Sequence, residues 1–517
     1  MYLAVFGLQN AIDGGALSWR ANRAWVAVAA LTAAAAALRF VTLGHQSLWY
    51  DEGSTAYLVG LSPGRMLGAI PQSESTPPLF FLVTWVWVHV FGHGDAALRA
   101  IPALATTALV PVTFGVARRL ADARVGVAAA ALVAVNPMLV WYGQEARAYA
   151  LLALFSAGAL WCFVVALETP SRNVLAGWAL ISMLALATHY FAVFAWLPEA
   201  VWLLARHRRL AATWLASAAV AVVGLGLVAL AAAQQGHGNP NWIGSIALGP
   251  RLGPAWGQFL FGFPGVSQLL LGLGALTATL LACALALRAT DAERHAAAVG
   301  ATIALAAVAL PLVLAIVGLD YVLARNLIVA VVPLLIALAA PLASRGAGRL
   351  GIGALTVLLV AGVASSVAVF TNARLQRPAW RTVAAQLGAG IAGPRAIVID
   401  RYHFALPLGH YLTNTWWMPA RGARVEEVDV ISSTWPARTA CWWGAACNIP
   451  RSIPPRALGV PGFQLAGATV DGEFTITRFR ATAPVALNPD ELVGDGRGVT
   501  RNAVLLQPTK VGTPPPH

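Results

Sequence analysis

The stretch AAAVGATIALAAVALPLVLAIV, residues 296–317, carries no charged side chain. As a helix rising about 1.5 Å per residue it is long enough to cross the roughly 30 Å hydrocarbon core of a bilayer. Similar apolar runs lie at 24–44, 98–117, 124–142, 149–167, 174–189, 190–205, 212–233, 267–287, 325–343 and 350–370. The composition agrees: 58% of the 517 residues are hydrophobic, 11% are charged, and the mean hydropathy is +0.70. A soluble chain carries about a quarter of its residues as charges. Charge this sparse cannot cover a water-facing surface, so a membrane must cover much of it. The expected fold class is a polytopic α-helical membrane protein with about eleven transmembrane helices, occupying 1–370.

From about residue 371 the pattern changes. Short apolar strands at 396–400 and 474–479 flank a helix-like stretch at 406–412, which predicts an α/β domain over 371–484. A Pro-rich stretch, 485–517, is expected to be a disordered tail. No internal repeat is visible, which argues against a transporter built from symmetric halves.

Loop charges orient the spans. With the N-terminus in the cytoplasm, cytosolic segments hold thirteen arginines: Arg20, Arg23, Arg118, Arg119, Arg124, Arg172, Arg206, Arg208, Arg209, Arg288, Arg294, Arg345 and Arg349. Outer loops hold five: Arg65, Arg99, Arg147, Arg251 and Arg325. That asymmetry follows the positive-inside rule and leaves the C-terminal domain extracytoplasmic. Counting Leu79–Phe91 as a span would invert every later loop, so it is expected at the outer interface, where Trp85, Trp87 and His89 suit the headgroup zone. The N-terminus has no cleavable-signal pattern, so the run starting near Trp25 reads as a retained anchor.

The net charge of +13 comes almost wholly from arginine, Lys510 being the only lysine, which suggests a high-GC bacterial genome and a plasma-membrane location. The arginines are not interleaved with aromatics along a groove, and no nucleic-acid partner is expected. Cys162 and Cys283 lie in apolar spans as fillers. Cys441 and Cys447 flank a short segment where a disulfide is as plausible as two thiols.

The unusual residues gather in the outer loops. Asp51 and Glu52 follow the first span beside Trp49 and Tyr50, where desolvation raises a carboxylate's pKa and makes a general base; the plainer reading is a helix N-terminus. Glu145 and Arg147 lie between two apolar runs; they form either a local ion pair or a grip on a lipid phosphate. His189 and Tyr190 mark another outer junction, where an interface anchor is the simpler reading. Asp320 and Arg325 occupy the next boundary, with Arg325 a candidate phosphate contact. Glu199 falls inside a span and suggests only pairing. Together these residues offer a carboxylate base and several cations on one face, the set an anionic lipid-phosphate donor needs.

The motifs Ser-Leu-Trp-Tyr-Asp51-Glu52, Ser75-Thr76-Pro77-Pro78-Leu79-Phe80-Phe81 and Gln144-Glu145-Ala146-Arg147-Ala148-Tyr149 resemble the GT-C superfamily of glycosyltransferases. They are most similar to bacterial relatives of the protein O-mannosyltransferases and of the lipid A aminoarabinose transferase. Thr188–Phe191, 324–327 and Arg377-Pro378-Ala379-Trp380-Arg381 add to the resemblance, which covers roughly 40–385. It implies transfer of a sugar, with inversion, from a polyprenyl-phosphate donor to an extracytoplasmic acceptor (glycolipid, cell-envelope glycan or protein). It puts the family's aspartate on Asp51 as general base, with Glu52 in support or helping to hold a divalent cation, Mg or Mn. Better-known members often carry His or Lys where this chain has Thr76, so one substrate contact is missing or comes from elsewhere, for instance His189. Glu145, Arg147, Tyr149, Tyr190 and Arg325 complete the expected donor-binding set, and membrane lipids are the remaining partners. The other readings are a transporter or flippase of lipid-linked substrates, which needs charges along a mid-membrane path, and a non-catalytic envelope scaffold, in which Asp51 is replaceable.

Overall fold

The computed structural model describes residues 18–236, 243–244, 246–262, 265–388, 393–399, 402–412, 414–433, 462–471, 474–493 and 504–508. These form two compact units. One comprises Met1–Thr42, Leu67–Val83 and Arg99–Thr371; the other comprises Leu43–Met66, Thr84–Leu98 and Asn372–His517.

The first unit is helical. Each apolar run of the sequence is helical, but among the described residues eight helices are long and apolar enough to cross a bilayer, or nine with one bent pair. The shortfall from eleven lies at Arg172–Thr188 and Val193–Arg206, which are 17 and 14 residues long. A break at His189 and the 3-10 turn Tyr190–Ala192 divides them. Burial ranks the helices. The Ala324–Leu342 span has 89% of its apolar window buried, whereas Ala211–Gln235 and Gln268–Ala286 have 17% and 22% and expose Leu225, Leu269 and Leu280. Apolar side chains in that position face lipid. Gly300 lets the Asp291–Ile316 and Val331–Leu342 helices cross closely, since a Cβ there would meet the carbonyl of Pro333.

The run 124–142 is not one straight span. It divides into Ala123–Val135 and Pro137–Gly143, bent by 54°. Asn136 starts the second piece by accepting from Leu139 N, and Pro137 needs no amide partner at the first helical position. The bend frees carbonyls, and a buried arginine takes two of them: Arg39 donates to the oxygens of Ala134 (2.9 Å) and Val133 (3.4 Å), and also to Ala35 O in its own helix (2.9 Å), while its Nε donates to Thr106 Oγ1. Gln144 then donates to Arg39 O and Thr42 Oγ1 at the end of the Ser18–Phe40 helix.

The second unit contains a six-stranded mixed sheet of β1 (Arg395–Ile399), β2 (Trp416–Trp417), β3 (Ala423–Ser433), β4 (Gln464–Asp471), β5 (Phe474–Leu487) and β6 (Val504–Gln507), in the order β2-β6-β1-β3-β5-β4. Only β1 and β3 are parallel, joined across the helix Tyr402–Tyr411; the other pairings are antiparallel. β1 is buried along its whole length. Ile397 and Ile399 pack with Trp380, Phe404 and Leu408 on one face, while Ala396 and Val398 pack with Val428, Phe479 and Leu506 on the other. Arg395 ties the middle of the sheet, reaching Asp429 on β3 (3.1 Å) and Gln507 on β6 (2.8 Å). The stretch expected as a tail thus contains the helix Pro489–Val493 and β6, whose four residues are all buried because they complete the sheet between β1 and β2. Residues 494–503 and 509–517 of that stretch, and Cys441 and Cys447, lie outside the described residues.

Candidate active site

The sequence-derived candidates fall in both units. Thr76, Glu145, Arg147, Tyr149, His189, Tyr190 and Arg325 belong to the helical unit; Asp51 and Glu52 belong to the unit with the sheet.

In the helical unit three turns bring the candidates together. The bend at Asn136 leads into Gln144–Arg147, where Arg147 N bonds to Glu145 O and fixes a tight turn before the Tyr149–Glu168 helix. Arg147 pairs with Glu74 at 2.9 Å, and its guanidinium lies 5.9 Å from the centre of the Phe81 ring. Both partners come from the Ser75–Phe81 motif or its immediate neighbour. Arg325, at the start of the turn Ala324–Ala330, lies 5.9 Å from the centre of the Tyr149 ring. The Tyr149 ring packs in turn against Tyr142 (5.1 Å) and His189 (5.5 Å). Both guanidinium groups act electrostatically on the His189 ring.

His189 ends one helix and begins the next turn. Its Nδ1 accepts from Phe191 N at 3.2 Å, which leaves Nε2 to carry the proton of the neutral ring. Tyr190 donates to Gln234 Oε1 (2.8 Å), and Gln234 Nε2 donates to the carbonyl of Thr76 (3.0 Å). The Thr76 hydroxyl is buried with no hydrogen-bond partner among the described residues. Asp320 is farther along the chain and does a separate job. It accepts from Arg251 Nη1 (2.8 Å) and Val322 N (3.1 Å), and the hydrogen bond from Arg251 holds its carboxyl below the usual carboxylate range. Glu199 accepts from Trp178 Nε1 at 2.8 Å, the pairing expected of a buried carboxylate.

In the other unit the adjacent carboxylates differ in setting. Both lie in the first turn of Tyr50–Val59, but Asp51 is only half-buried while Glu52 is fully buried. Glu52 accepts from Trp49 N (3.3 Å), the N-cap contact read as the plainer alternative, and it faces Arg377 at 3.5 Å. Gln46 accepts from Arg377 N (3.0 Å) and Ser47 Oγ accepts from Arg381 N (3.1 Å). Tyr411 OH accepts from Leu48 N (2.7 Å) and donates to Asp95 (2.6 Å). Among the described residues no group of three or more His, Cys, Asp or Glu is arranged to hold a metal ion. With Glu52 paired to Arg377, a divalent cation at Asp51 and Glu52 does not fit the donors present.

Glu74, Gln234 and Arg377's link to Glu52 were not foreseen. Glu74 stands one residue before the Ser-Thr-Pro-Pro motif, and its partner lies 73 positions on.

Residues 75–232 match the family model described as Dolichyl-phosphate-mannose-protein mannosyltransferase. The matched segment includes Thr76, Glu145, Arg147, Tyr149, His189 and Tyr190. No curated protein matches the chain. Among solved structures the chain is similar to ArnT from Cupriavidus metallidurans in the apo state, at 15% identity and TM-score 0.44, covering 89% of this chain and 98% of that one. The same protein bound to undecaprenyl phosphate matches at 15% identity and TM-score 0.43, covering 90% and 98%. The Archaeoglobus fulgidus oligosaccharyltransferase matches at 13% identity and TM-score 0.40, covering 70% of this chain and 55% of that one.

Proposed function

We propose that this membrane protein belongs to the GT-C superfamily and is an inverting glycosyltransferase taking a sugar from a polyprenyl-phosphate donor, a reading supported by the family match over 75–232. The observation that carries this reading is the convergence of Arg147, Arg325, Tyr149 and His189 within one unit, most of it inside the family-matched segment. Two guanidinium groups with a neutral imidazole and aromatic faces suit an anionic phosphate, since arginine binds phosphate oxygens through paired N–H donors. The Nε2–H of His189 supplies a neutral donor in place of the His or Lys that Thr76 replaces. Tyr190 and Gln234 hold the Thr76 backbone, so that they shape the donor site without touching the phosphate.

Asp51 is the general base in this reading and Glu52 its support. The acceptor hydroxyl gives its proton to Asp51 as its oxygen attacks the anomeric carbon from the face opposite the phosphate. The bond from that carbon to the phosphate oxygen breaks, and polyprenyl phosphate leaves with the electron pair. Negative charge grows on the leaving oxygen, where fixed cations lower the barrier more than they stabilise the bound ground state. The acceptor is extracytoplasmic: a glycolipid, an envelope glycan or a protein. The location is the plasma membrane of a bacterium, with the N-terminus cytoplasmic.

The transport reading has one feature in its favour, the broken span at Asn136. Its freed carbonyls are taken by Arg39 rather than left to line an ion path. Binding of undecaprenyl phosphate to the detergent-solubilised protein tests the proposal. Loss of a charged hydrogen bond costs about 1.5–3 kcal/mol, so Arg325→Ala weakens binding by roughly 10- to 100-fold. Equal binding by wild type and an Arg147→Ala/Arg325→Ala pair would remove the phosphate site.

A further inference from the structure

The segment that carries Asp51 is held throughout its length by residues some 330 positions later in the chain. Arg381 Nη2 donates to Gly44 O (3.0 Å), and its backbone N donates to Ser47 Oγ. Arg377 bonds to Gln46 through both its backbone and its side chain, and Tyr411 takes Leu48 N. The helix Tyr402–Tyr411 packs directly on the helix Tyr50–Val59: a Cβ on Gly53 would stand 2.6 Å from Pro407 N, a backbone atom that cannot yield. Within this lacing one contact joins two opposite charges that are both almost wholly shut from water. It is the Arg377–Glu52 pair, whose side chains are 1% and 0% exposed.

We propose that Arg377 is a positioning residue for Asp51, acting through Glu52, which rests on the reading of Asp51 as the base. Glu52 occupies the third position of the helix whose second residue is Asp51. Its carboxylate therefore fixes the first turn from both sides, to Trp49 N behind it and to Arg377 beyond it. At 3.5 Å the pair is long for a hydrogen bond. It holds by Coulomb attraction in a setting without water to screen it. Removing either charge takes from the other its buried opposite charge, and the turn must open to let water reach it. Asp51 then leaves the position that proton transfer requires. On this account the sheet-bearing unit serves the transfer step itself, whatever acceptor it also recognises.

The test compares full-length wild type, Arg377→Met, Glu52→Gln and the neutral pair Glu52→Gln/Arg377→Met in detergent. Two readouts are used: sugar transfer from a polyprenyl-phosphate donor, and hydrogen–deuterium exchange over 48–59. Arg377→Met is expected to lower kcat about a hundredfold, the effect of displacing a reacting group by an ångström, with donor KM unchanged and exchange of 48–59 accelerated. The neutral pair is expected to regain most of the protection and at least about a tenth of the turnover, because both members of the buried opposite-charge pair are removed together. Wild-type kcat and exchange in Arg377→Met overturn the proposal. So does an equal loss of kcat and KM in the single and paired variants, which is the mark of general unfolding. If Arg377→Met does not accumulate, Arg377→Lys takes its place, keeping the charge without the planar fork; it is expected to keep most of the turnover and protection, and a hundredfold loss of turnover with wild-type exchange overturns the proposal. Should wild type transfer no sugar from any donor, that failure belongs to the glycosyltransferase reading, and the exchange readout still decides whether Arg377 holds the turn.

Discussion

At the scale of single residues, neighbours in sequence have been given different work. Asp51 is half-open, whereas Glu52 is sealed against Arg377. The two carboxylates are therefore not interchangeable, and Asp51→Asn should abolish turnover while leaving the melting temperature in detergent near that of wild type. Arg39 shows the opposite case, a charge inside a helical span with a purely structural task. It satisfies carbonyls that the bend at Asn136 would otherwise leave bare in an apolar setting. Arg39→Met should cost about 2–5 kcal/mol, the range for unpairing several buried acceptors of a charged donor. A thermal-shift measurement in detergent checks this. Gly143→Ala should act on the same joint, since its Cβ would collide with the Thr106 hydroxyl that Arg39 uses.

At the scale of elements, the outer turns are where short segments are pinned by contacts distant in sequence. The turn before Ala324–Ala330 is held by Arg251 and Asp320. The Asp320 pKa lies below its ordinary value because of the bond from Arg251, so the tie contributes in full above the ordinary carboxylate pKa, about 3.9. It is lost as pH falls through the lower, folded value. Exchange of 319–323 should therefore quicken on acidification below about pH 4 in wild type. In Asp320→Asn it should be quicker already at neutral pH and insensitive to that change. Elements of this size were unevenly legible. Every apolar run was read as helix because a span announces itself over some twenty consecutive residues. Asn136-Pro137 also carried a local break signal, but hydropathy alone smoothed over it. The role of Arg39 is not legible in its own surroundings because its acceptors, at Thr106 and Ala134, are 67 and 95 residues away. Glu74 and Gln234 were missed for the same reason. A side chain's partner across a fold leaves no mark in its own neighbourhood.

At the scale of the whole molecule, composition settled the solvent before any motif was read, and the exposed leucines and valines of the outer helices are its consequence. The sheet was foreseen only in outline. β1 and the Tyr402–Tyr411 helix fall close to their expected places, but β6 comes from residues whose proline-rich surroundings suggested no order. Four residues can join a sheet when both neighbouring strands are waiting, and nothing in so short a stretch reveals that. The most direct test of the function is transfer itself. Purified wild type and Asp51→Asn are offered radiolabelled polyprenyl-phosphate sugars together with a cell-envelope fraction as acceptor. The account predicts label moving to an acceptor and polyprenyl phosphate being released with wild type only, while both proteins bind the donor equally. Equal transfer by the two proteins would contradict the role of Asp51, and no binding or transfer with any lipid-linked sugar would contradict the assignment as a glycosyltransferase.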